Sequence, residues 1–332
     1  MRALRPAALA GTLLLLAACG SGASPSSPTA PSVAPSAAAS KPAASVAAST
    51  ASPVSAKPPA SASAKPAAAG SASAAVKPAG SAAAGSAAGA STVQGNLTVF
   101  AAASLTDAFN NMKTDIEEAN PSAKLTMNFA GSPTLRTQLA QGAKADVFAS
   151  ADTANMDGAQ KDGTIDGQPS IFAHNKLTVV LLGQNPKVAS LQDLAKPGIK
   201  VVIEQQAVPA GNYSRQALEK MSKDPAFGSD FATKVLANVV SQEPDVKSVL
   251  SRIQLGEADA GMLYVSDVGT PAVKDQVKTL TIPDQFNVIA DYPLAVVKNA
   301  PNPSGAKAFV HYVLSSRGQT TLQKWGLLPA TS

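Results

Sequence analysis

Four short turns in this sequence carry residues that could together hold a small anion. Each turn follows an apolar run typical of a buried strand and precedes a pattern typical of a helix. Two turns place a serine where a helix N-cap belongs, at Ser104 and at Ser132; the other two are residues 208–211 and 244–246. The first N–H groups of a helix lack intrahelical partners, and the helix dipole attracts negative charge there. Several such turns meeting in one cleft would therefore bind an anion through hydrogen bonds.

Any one of these turns is weak evidence, because a serine N-cap usually stabilises only its own helix. Ser104 with Asp107 three residues later also resembles a capping box, and Pro133 suits the first position of a helix. As anion ligands, hydroxyl and main-chain N–H groups would be neutral donors that hold a dianion and still release it. A carboxylate would repel a fully deprotonated oxyanion but could accept the proton of hydrogen phosphate. No carboxylate stands among the expected contacts, which argues against phosphate.

The elements that would position these turns alternate between strands and helices along residues 95–332. Apolar runs predict strands at residues 97–100, 124–129, 146–149, 177–182, 200–203, 260–264, 287–289 and 294–297. Helical spacing predicts helices at residues 105–118, 134–141, 215–221, 246–255, 304–314 and 318–324. This order indicates an α/β fold of doubly wound, mostly parallel sheets, in which ligands bind at the carboxyl ends of strands. The length is sufficient for two lobes with a cleft between them.

The first 94 residues differ in composition and lie outside the predicted fold. A basic start, an apolar run from Ala7 to Ala18 and then Cys19 are typical of a secretory signal peptide over residues 1–18. Residues 16–19 resemble the lipobox of bacterial lipoproteins, in which the cysteine is acylated and the chain is cut before it. Residues 19–94 are rich in Ala, Ser and Pro, so we expect a lipid-anchored disordered tether with a reach of roughly 50 Å. The anchor would hold the protein on the outer, periplasmic side of the cell membrane.

The charge balance excludes a nucleic-acid footprint. The whole chain is formally +5, but 6 of its 27 Lys and Arg residues and none of its 22 acidic residues lie before residue 95. The predicted folded part therefore has 21 basic and 22 acidic residues, a net charge near −1. Cys19 is the only cysteine of the chain, so no intramolecular disulfide can form.

Six segments, in order along residues 95–332, resemble the periplasmic molybdate-binding protein family, the substrate-binding components of ABC transporters, in a lipoprotein form. They are residues 97–109, 129–135, 141–152, 208–213, 245–247 and 260–267. One segment alone would be a weak signal, whereas the ordered set is specific. In that family serine hydroxyls, main-chain N–H groups and one tyrosine hydroxyl hold the oxyanion.

The resemblance implies an oxyanion site formed by Ser104, Ser132, Ala210, Val246 and Tyr264. The two serines would give hydroxyl and N–H groups, Ala210 and Val246 would give main-chain N–H groups, and Tyr264 would give its hydroxyl. The ligand would be molybdate or tungstate, so molybdenum would enter only as the bound oxyanion, without direct protein ligands and without a further cofactor.

The resemblance also implies the partner and the arrangement of the chain. An ABC-type molybdate permease in the membrane would receive the ion from a monomeric binding protein. One lobe would combine residues 95–176 with residues 284–332, and the other would comprise residues 177–283. Two departures from the family could alter selectivity: Pro133 lacks an N–H group, and residues 204–207 before the third turn are less typical.

Four other functions compete with this interpretation. A binding protein for another tetrahedral oxyanion, such as sulfate, would use the same donors, and the tether equally suits a surface interaction protein. Iron(III) binding is disfavoured because no two tyrosines are adjacent. An enzyme is disfavoured because Ser132 is not in a G-x-S-x-G elbow and no motif links it to His174 or His311.

Overall fold

The computed structural model describes residues 92–183 and 187–330. The predicted signal peptide, Cys19 and the predicted tether lie outside these residues. Within the described ranges, no helix is both long and apolar enough to cross a membrane.

The described residues form ten strands and nine α-helices, which largely alternate along the chain. The strands are β1 (Gly95–Ala102), β2 (Ala123–Ala130), β3 (Val147–Ala149), β4 (Ile165–Leu182), β5 (Val201–Glu204), β6 (Val239–Glu243), β7 (Ala260–Tyr264), β8 (Val277–Thr281), β9 (Ile289–Val297) and β10 (Leu328–Pro329). The helices are α1 (Thr106–Ala119), α2 (Ser132–Ala140), α3 (Thr153–Lys161), α4 (Pro209–Ser222), α5 (Phe231–Ala237), α6 (Val246–Gln254), α7 (Val265–Val268), α8 (Pro303–Leu314) and α9 (Ser316–Lys324). Two 3-10 helices lie at Ala103–Leu105 and Leu191–Ala195.

The long strand β4 joins two halves of one sheet. The strand order is β2-β1-β3-β9-β4-β7-β5-β6, with β8 and β10 also paired to β4. The first part of β4 pairs with β9 as far as Lys176, and its last part pairs with β7 and β8 from Leu177 or Thr178 onward. The two halves are the two lobes of the α/β fold. The bounds of each lobe given above stay a prediction.

The sheet is mixed, and the prediction of mostly parallel strands holds for three strands in each lobe. Strands β2, β1 and β3 run parallel in one lobe, and β6, β5 and β7 run parallel in the other. Strands β4 and β9 are antiparallel to each other and to their other neighbours in the sheet. They lie in the centre of the strand order, where the chain passes between the lobes.

The register of the parallel strands brings the turns together. Ala102 at the end of β1 pairs with Ala130 at the end of β2, so the first two turns start side by side. In the other lobe Glu204 at the end of β5 pairs with Glu243 at the end of β6, so the third and fourth turns also start side by side. Because parallel strands end at the same edge of a sheet, each lobe presents two turns at one edge.

Candidate functional site

All five predicted site residues border one small space. Ser104 and Ser132 belong to the lobe of β1, and Ala210, Val246 and Tyr264 belong to the lobe of β5. Each of the five is at most 6% exposed. The residues that the sequence placed on four turns and a strand end therefore meet in one buried pocket between the lobes.

Ser132 begins helix α2, and its hydroxyl is free to donate a hydrogen bond into the pocket. The N-cap of α2 is Gly131, one residue earlier than the sequence predicted, and Ser132 is the first helical residue. The Ser132 Oγ accepts a hydrogen bond from the Ala151 N–H at 3.0 Å. This bond leaves the hydroxyl proton available for an acceptor in the pocket. Gly131 allows the lobes to come close, because a Cβ there would collide with the carbonyl oxygen of Pro244.

Ser104 lies in the 3-10 helix before α1, and the predicted capping box is wrong. The N-cap of α1 is Leu105, and no side chain caps that helix. The Ser104 Oγ lies 2.9 Å from the hydroxyl of Tyr292, which is fully buried. The Asn175 side-chain amide donates to the same Tyr292 oxygen at 3.3 Å. This arrangement allows Tyr292 to donate its proton to Ser104, which leaves the serine proton for the pocket.

Tyr264 ends strand β7 with a buried hydroxyl that has no hydrogen-bond partner in the described part of the chain. Its ring packs edge-on against the ring of Tyr292, with centroids 5.8 Å apart. Burial raises the pKa of the Tyr264 hydroxyl well above its ordinary value, so the group stays neutral. An unmet buried hydroxyl costs about 1–3 kcal/mol, and an acceptor bound in the pocket would recover that free energy.

Two helices begin at the pocket. Ala210 lies in the first turn of α4, and Val246 is the first residue of α6. N–H groups at these positions have no intrahelical partner and stand at the positive end of the helix dipole. The side chain of Asp245 caps α6 by accepting the Ser248 N–H at 2.9 Å, which fixes the start of that helix.

Two residues with carboxyl groups, Glu204 and Asp245, also border the pocket, contrary to the expectation from the sequence. Glu204, the last residue of β5, is 3% exposed and lines the same space as the five predicted residues. Its Oε2 accepts the Gly211 N–H at 3.2 Å. Burial raises the pKa of Glu204 to about 8, and the nearby charge of Asp267 adds to the increase. At neutral pH the group is therefore mostly a neutral carboxylic acid.

A lysine connects the lobes beside the pocket. Lys247 of α6 lies 2.8 Å from the carboxylate of Asp107 on α1 and 3.5 Å from the carboxyl of Asp267. Asp267 is fully buried; burial raises its pKa to about 6, while Lys247 counteracts the increase. The ion pair between Asp107 and Lys247 joins one lobe to the other.

The histidines do not support hydrolysis at this site. Neither His174 nor His311 borders the pocket, and the Nδ1 atom of His174 lies 2.7 Å from a carboxyl oxygen of Asp291. The hydroxyls of Ser104 and Ser132 contact a tyrosine and a main-chain N–H instead of an imidazole. The arrangement can accept hydrogen bonds from the protein and donate them to a ligand, but it lacks a general base next to either serine.

Comparison with known proteins identifies the family. Residues 97–328 match the family model described as bacterial extracellular solute-binding protein. The chain belongs to this family. Its members are solute-binding proteins, a class of proteins that are not enzymes.

Two relatives of this solute-binding protein are named as binding proteins for an oxyanion. The chain is 40% identical over 232 residues to the molybdate-binding protein ModA of Mycobacterium tuberculosis, covering 70% of this chain and 84% of the relative. It is 25% identical over 267 residues to the sulfate-binding protein of Synechocystis, covering 72% of this chain and 75% of that relative. Its fold is similar to that of the substrate binding domain of a putative molybdenum ABC transporter from Clostridium difficile. That structure has a TM-score of 0.53 and 27% identity, with 71% of this chain and 99% of that chain covered.

Proposed function

We propose that this protein captures molybdate, or the nearly identical tungstate, outside the cytoplasm and delivers it to an ABC importer. The 40% identity to a molybdate-binding protein supports the ligand. The likeness to the substrate binding domain of a putative molybdenum ABC transporter supports a membrane permease as the partner. We propose a monomer without a cofactor, in which molybdenum enters only as the oxyanion.

The observation that carries this proposal is the convergence of neutral donors on one buried space. The donors are the hydroxyls of Ser104, Ser132 and Tyr264 and the N–H groups of Ala210 and Val246. The Tyr264 hydroxyl is buried without a partner in the described residues, so the site lacks an acceptor that a bound oxyanion would supply. Neutral donors can hold a dianion without the strong attraction of a counter-ion, which favours later release to a permease.

Sulfate is the second candidate ligand. The Synechocystis relative carries that name, and sulfate has the same charge and tetrahedral shape as molybdate. The sulfate ion is smaller, so the same donors would have to move closer together to contact all four oxygens. Selectivity between the two ions would therefore depend on how far the lobes close around the pocket.

Isothermal titration of the full chain at pH 6.5 with molybdate, tungstate, sulfate and phosphate tests the ligand. We expect one-to-one binding of molybdate and tungstate, and weak or no binding of sulfate and phosphate. Binding of sulfate alone would show that sulfate is the ligand instead of molybdate. The absence of measurable binding with all four ions would contradict an oxyanion function.

The variant Tyr264→Phe tests the site itself. Loss of the hydroxyl should weaken molybdate binding about 5- to 150-fold, because a hydrogen bond to a charged group is lost. Tyr312→Phe is the matched control, since its hydroxyl is also buried and unpartnered in the described residues but does not border the pocket. Equal affinities of both variants would contradict the proposed role of Tyr264.

We further propose that Cys19 carries the lipid that anchors the protein to the outer face of the membrane. The basic start, the apolar run and the lipobox-like residues 16–19 support this proposal. Mass spectrometry of the protein extracted from membranes should find acyl chains on Cys19. An unmodified cysteine in a membrane-bound protein would contradict the proposed anchor.

A further inference from the structure

Glu204 and the proposed oxyanion share one hydrogen-bond donor. Its carboxyl group accepts the N–H of Gly211 at the start of α4, and the N–H of Ala210 also stabilises its charged form. Ala210 is one of the proposed main-chain ligands. The carboxyl group and a bound dianion therefore stand at the same helix N-terminus, in the same buried space.

The backbone holds Glu204 in this place. A Cβ at Gly211 would collide with the carbonyl oxygens of Gln205 and Glu204, so the start of α4 lies directly against the end of β5. Arg215 strengthens this contact by donating to the Glu204 carbonyl oxygen at 3.1 Å. These contacts hold the main chain of Glu204 directly beside the start of α4.

The charged groups that face Glu204 favour its neutral form, whereas the N–H groups of Gly211 and Ala210 favour the carboxylate. Asp245 before α6 and Asp267 on α7 both add negative charge around the carboxyl group. Within the described ranges no Lys or Arg forms an ion pair with it, because the nearby cations are engaged elsewhere. Arg215 binds the main-chain carbonyl of Glu204, and Lys247 binds Asp107 and Asp267.

We propose that Glu204 makes oxyanion binding depend on a proton: the neutral carboxylic acid donates a hydrogen bond to the anion, and the carboxylate excludes it. This inference rests on the oxyanion-binding function proposed above. A carboxylate would repel the dianion at short range in a space with little water, whereas the neutral acid adds one more neutral donor. At pH values at which the free Glu204 is ionised, the binding of each anion requires that one proton from solvent binds to Oε1 or Oε2.

The pH dependence of binding follows from the fraction of protein that holds this proton. Burial raises the pKa of Glu204 to about 8, which places the transition between pH 7 and pH 9. The dissociation constant should rise about tenfold across that interval, because only the protonated fraction binds. Proton uptake per bound anion should be about 0.5 at pH 8 and about 0.9 at pH 9. Molybdate is fully deprotonated throughout this range and adds no titration of its own.

Calorimetric titration of the full chain with sodium molybdate measures both quantities. Runs from pH 6.5 to pH 9.5 in pairs of buffers with different ionisation enthalpies give the affinity and the number of protons taken up. Glu204→Gln should bind with an affinity that is flat across this range and should take up no proton. Glu243→Gln is the matched control: it removes a buried carboxyl from the neighbouring strand and should keep the wild-type pH dependence.

The outcomes separate this inference from the proposed function. Molybdate binding that is independent of pH, without proton uptake at pH 9, would overturn the role of Glu204 and leave the ligand intact. A Glu204→Gln protein with the wild-type pH dependence would also overturn it. If that variant does not fold, the proton uptake of the wild type at pH 9 tests the role of Glu204. Failure to bind molybdate at any pH would overturn the proposed ligand and this inference together.

Discussion

Replacing Glu204 with glutamine should change the stability of the protein in a way that depends on pH, even without an anion. The pKa of Glu204 is raised from 4.5 to about 8 in the folded protein, so the folded state keeps a proton that the unfolded chain has lost. Unfolding free energy therefore falls as pH rises from 4.5 to 8 and levels off above that range. One pKa unit corresponds to about 1.36 kcal/mol, so the whole loss is about 5 kcal/mol.

Urea unfolding of the wild type and of Glu204→Gln at pH 5 and pH 8 measures this loss. Glutamine does not titrate, so the stability of the variant relative to the wild type should increase by about 3.5 kcal/mol between the two pH values. Asp267, whose pKa is raised to about 6, titrates in both proteins. Because its charge contributes to the raised pKa of Glu204, the measured change belongs to the coupled pair.

A constant difference between the two proteins would refute the reasoning, because it would mean that Glu204 is ionised in the folded state at pH 8 without a penalty. Glu243→Gln again serves as the control. Its carboxyl group is held by Arg252 at 3.0 Å, so its loss should not stabilise the protein as pH rises.

Two further predictions concern contacts around the pocket. Tyr292→Phe removes the hydrogen bond that orients Ser104, so molybdate affinity should fall about 2- to 10-fold in a titration at pH 6.5; an unchanged affinity would show that Ser104 needs no such orientation. Asp107→Asn breaks the half-exposed ion pair with Lys247 that joins the lobes, so affinity should fall about 2- to 5-fold at low salt. That effect should largely vanish in 0.5 M salt, and persistence there would contradict an electrostatic origin.

Much of the fold could be predicted because its elements are marked locally. Strands such as β5 and β7 are short apolar runs, and glycines or prolines stand at the turns that follow. The first part of β4 was missed because residues 165–176 contain Gly167, Pro169 and several polar side chains. Its strand conformation depends on pairing with β9, with irregular register, and no local pattern reports that pairing.

One predicted strand was mostly wrong for a related reason. Residues 287–289 have an apolar pattern, but β9 begins only at Ile289. Asn287 uses its side chain instead: it accepts the Leu177 N–H at 3.0 Å and donates to the Leu177 carbonyl at 2.9 Å. A side chain that mimics a strand partner 110 residues away leaves no mark on the surrounding sequence.

Contacts between distant residues were also missed in the site. Ser104 and Ser132 lie on turns that local pattern could select, whereas Tyr292 contacts Ser104 from 188 residues away and looks like any core aromatic. Glu204 did carry a local signal, since it is a charged residue directly after a predicted apolar strand and four residues before the predicted anion-binding turn at residues 208–211. Its effect on the pocket depends on burial and on Asp267, which only the folded arrangement defines.

The proton on Glu204 should make the pH dependence of the unfolding free energy differ between the free and the anion-bound protein. In the free protein the stability curve levels off above pH 8, because Glu204 then loses its proton in the folded state as well. With the anion bound, the proposed site keeps that proton at higher pH, so the saturated protein still holds one proton more than the unfolded chain. Its unfolding free energy should therefore continue to fall by about 1.36 kcal/mol per pH unit above pH 8. The two curves converge where the anion no longer binds, since stabilisation by a ligand depends on its concentration relative to its dissociation constant. A saturated protein whose curve stays parallel to that of the free protein above pH 8 would mean that no proton accompanies the anion.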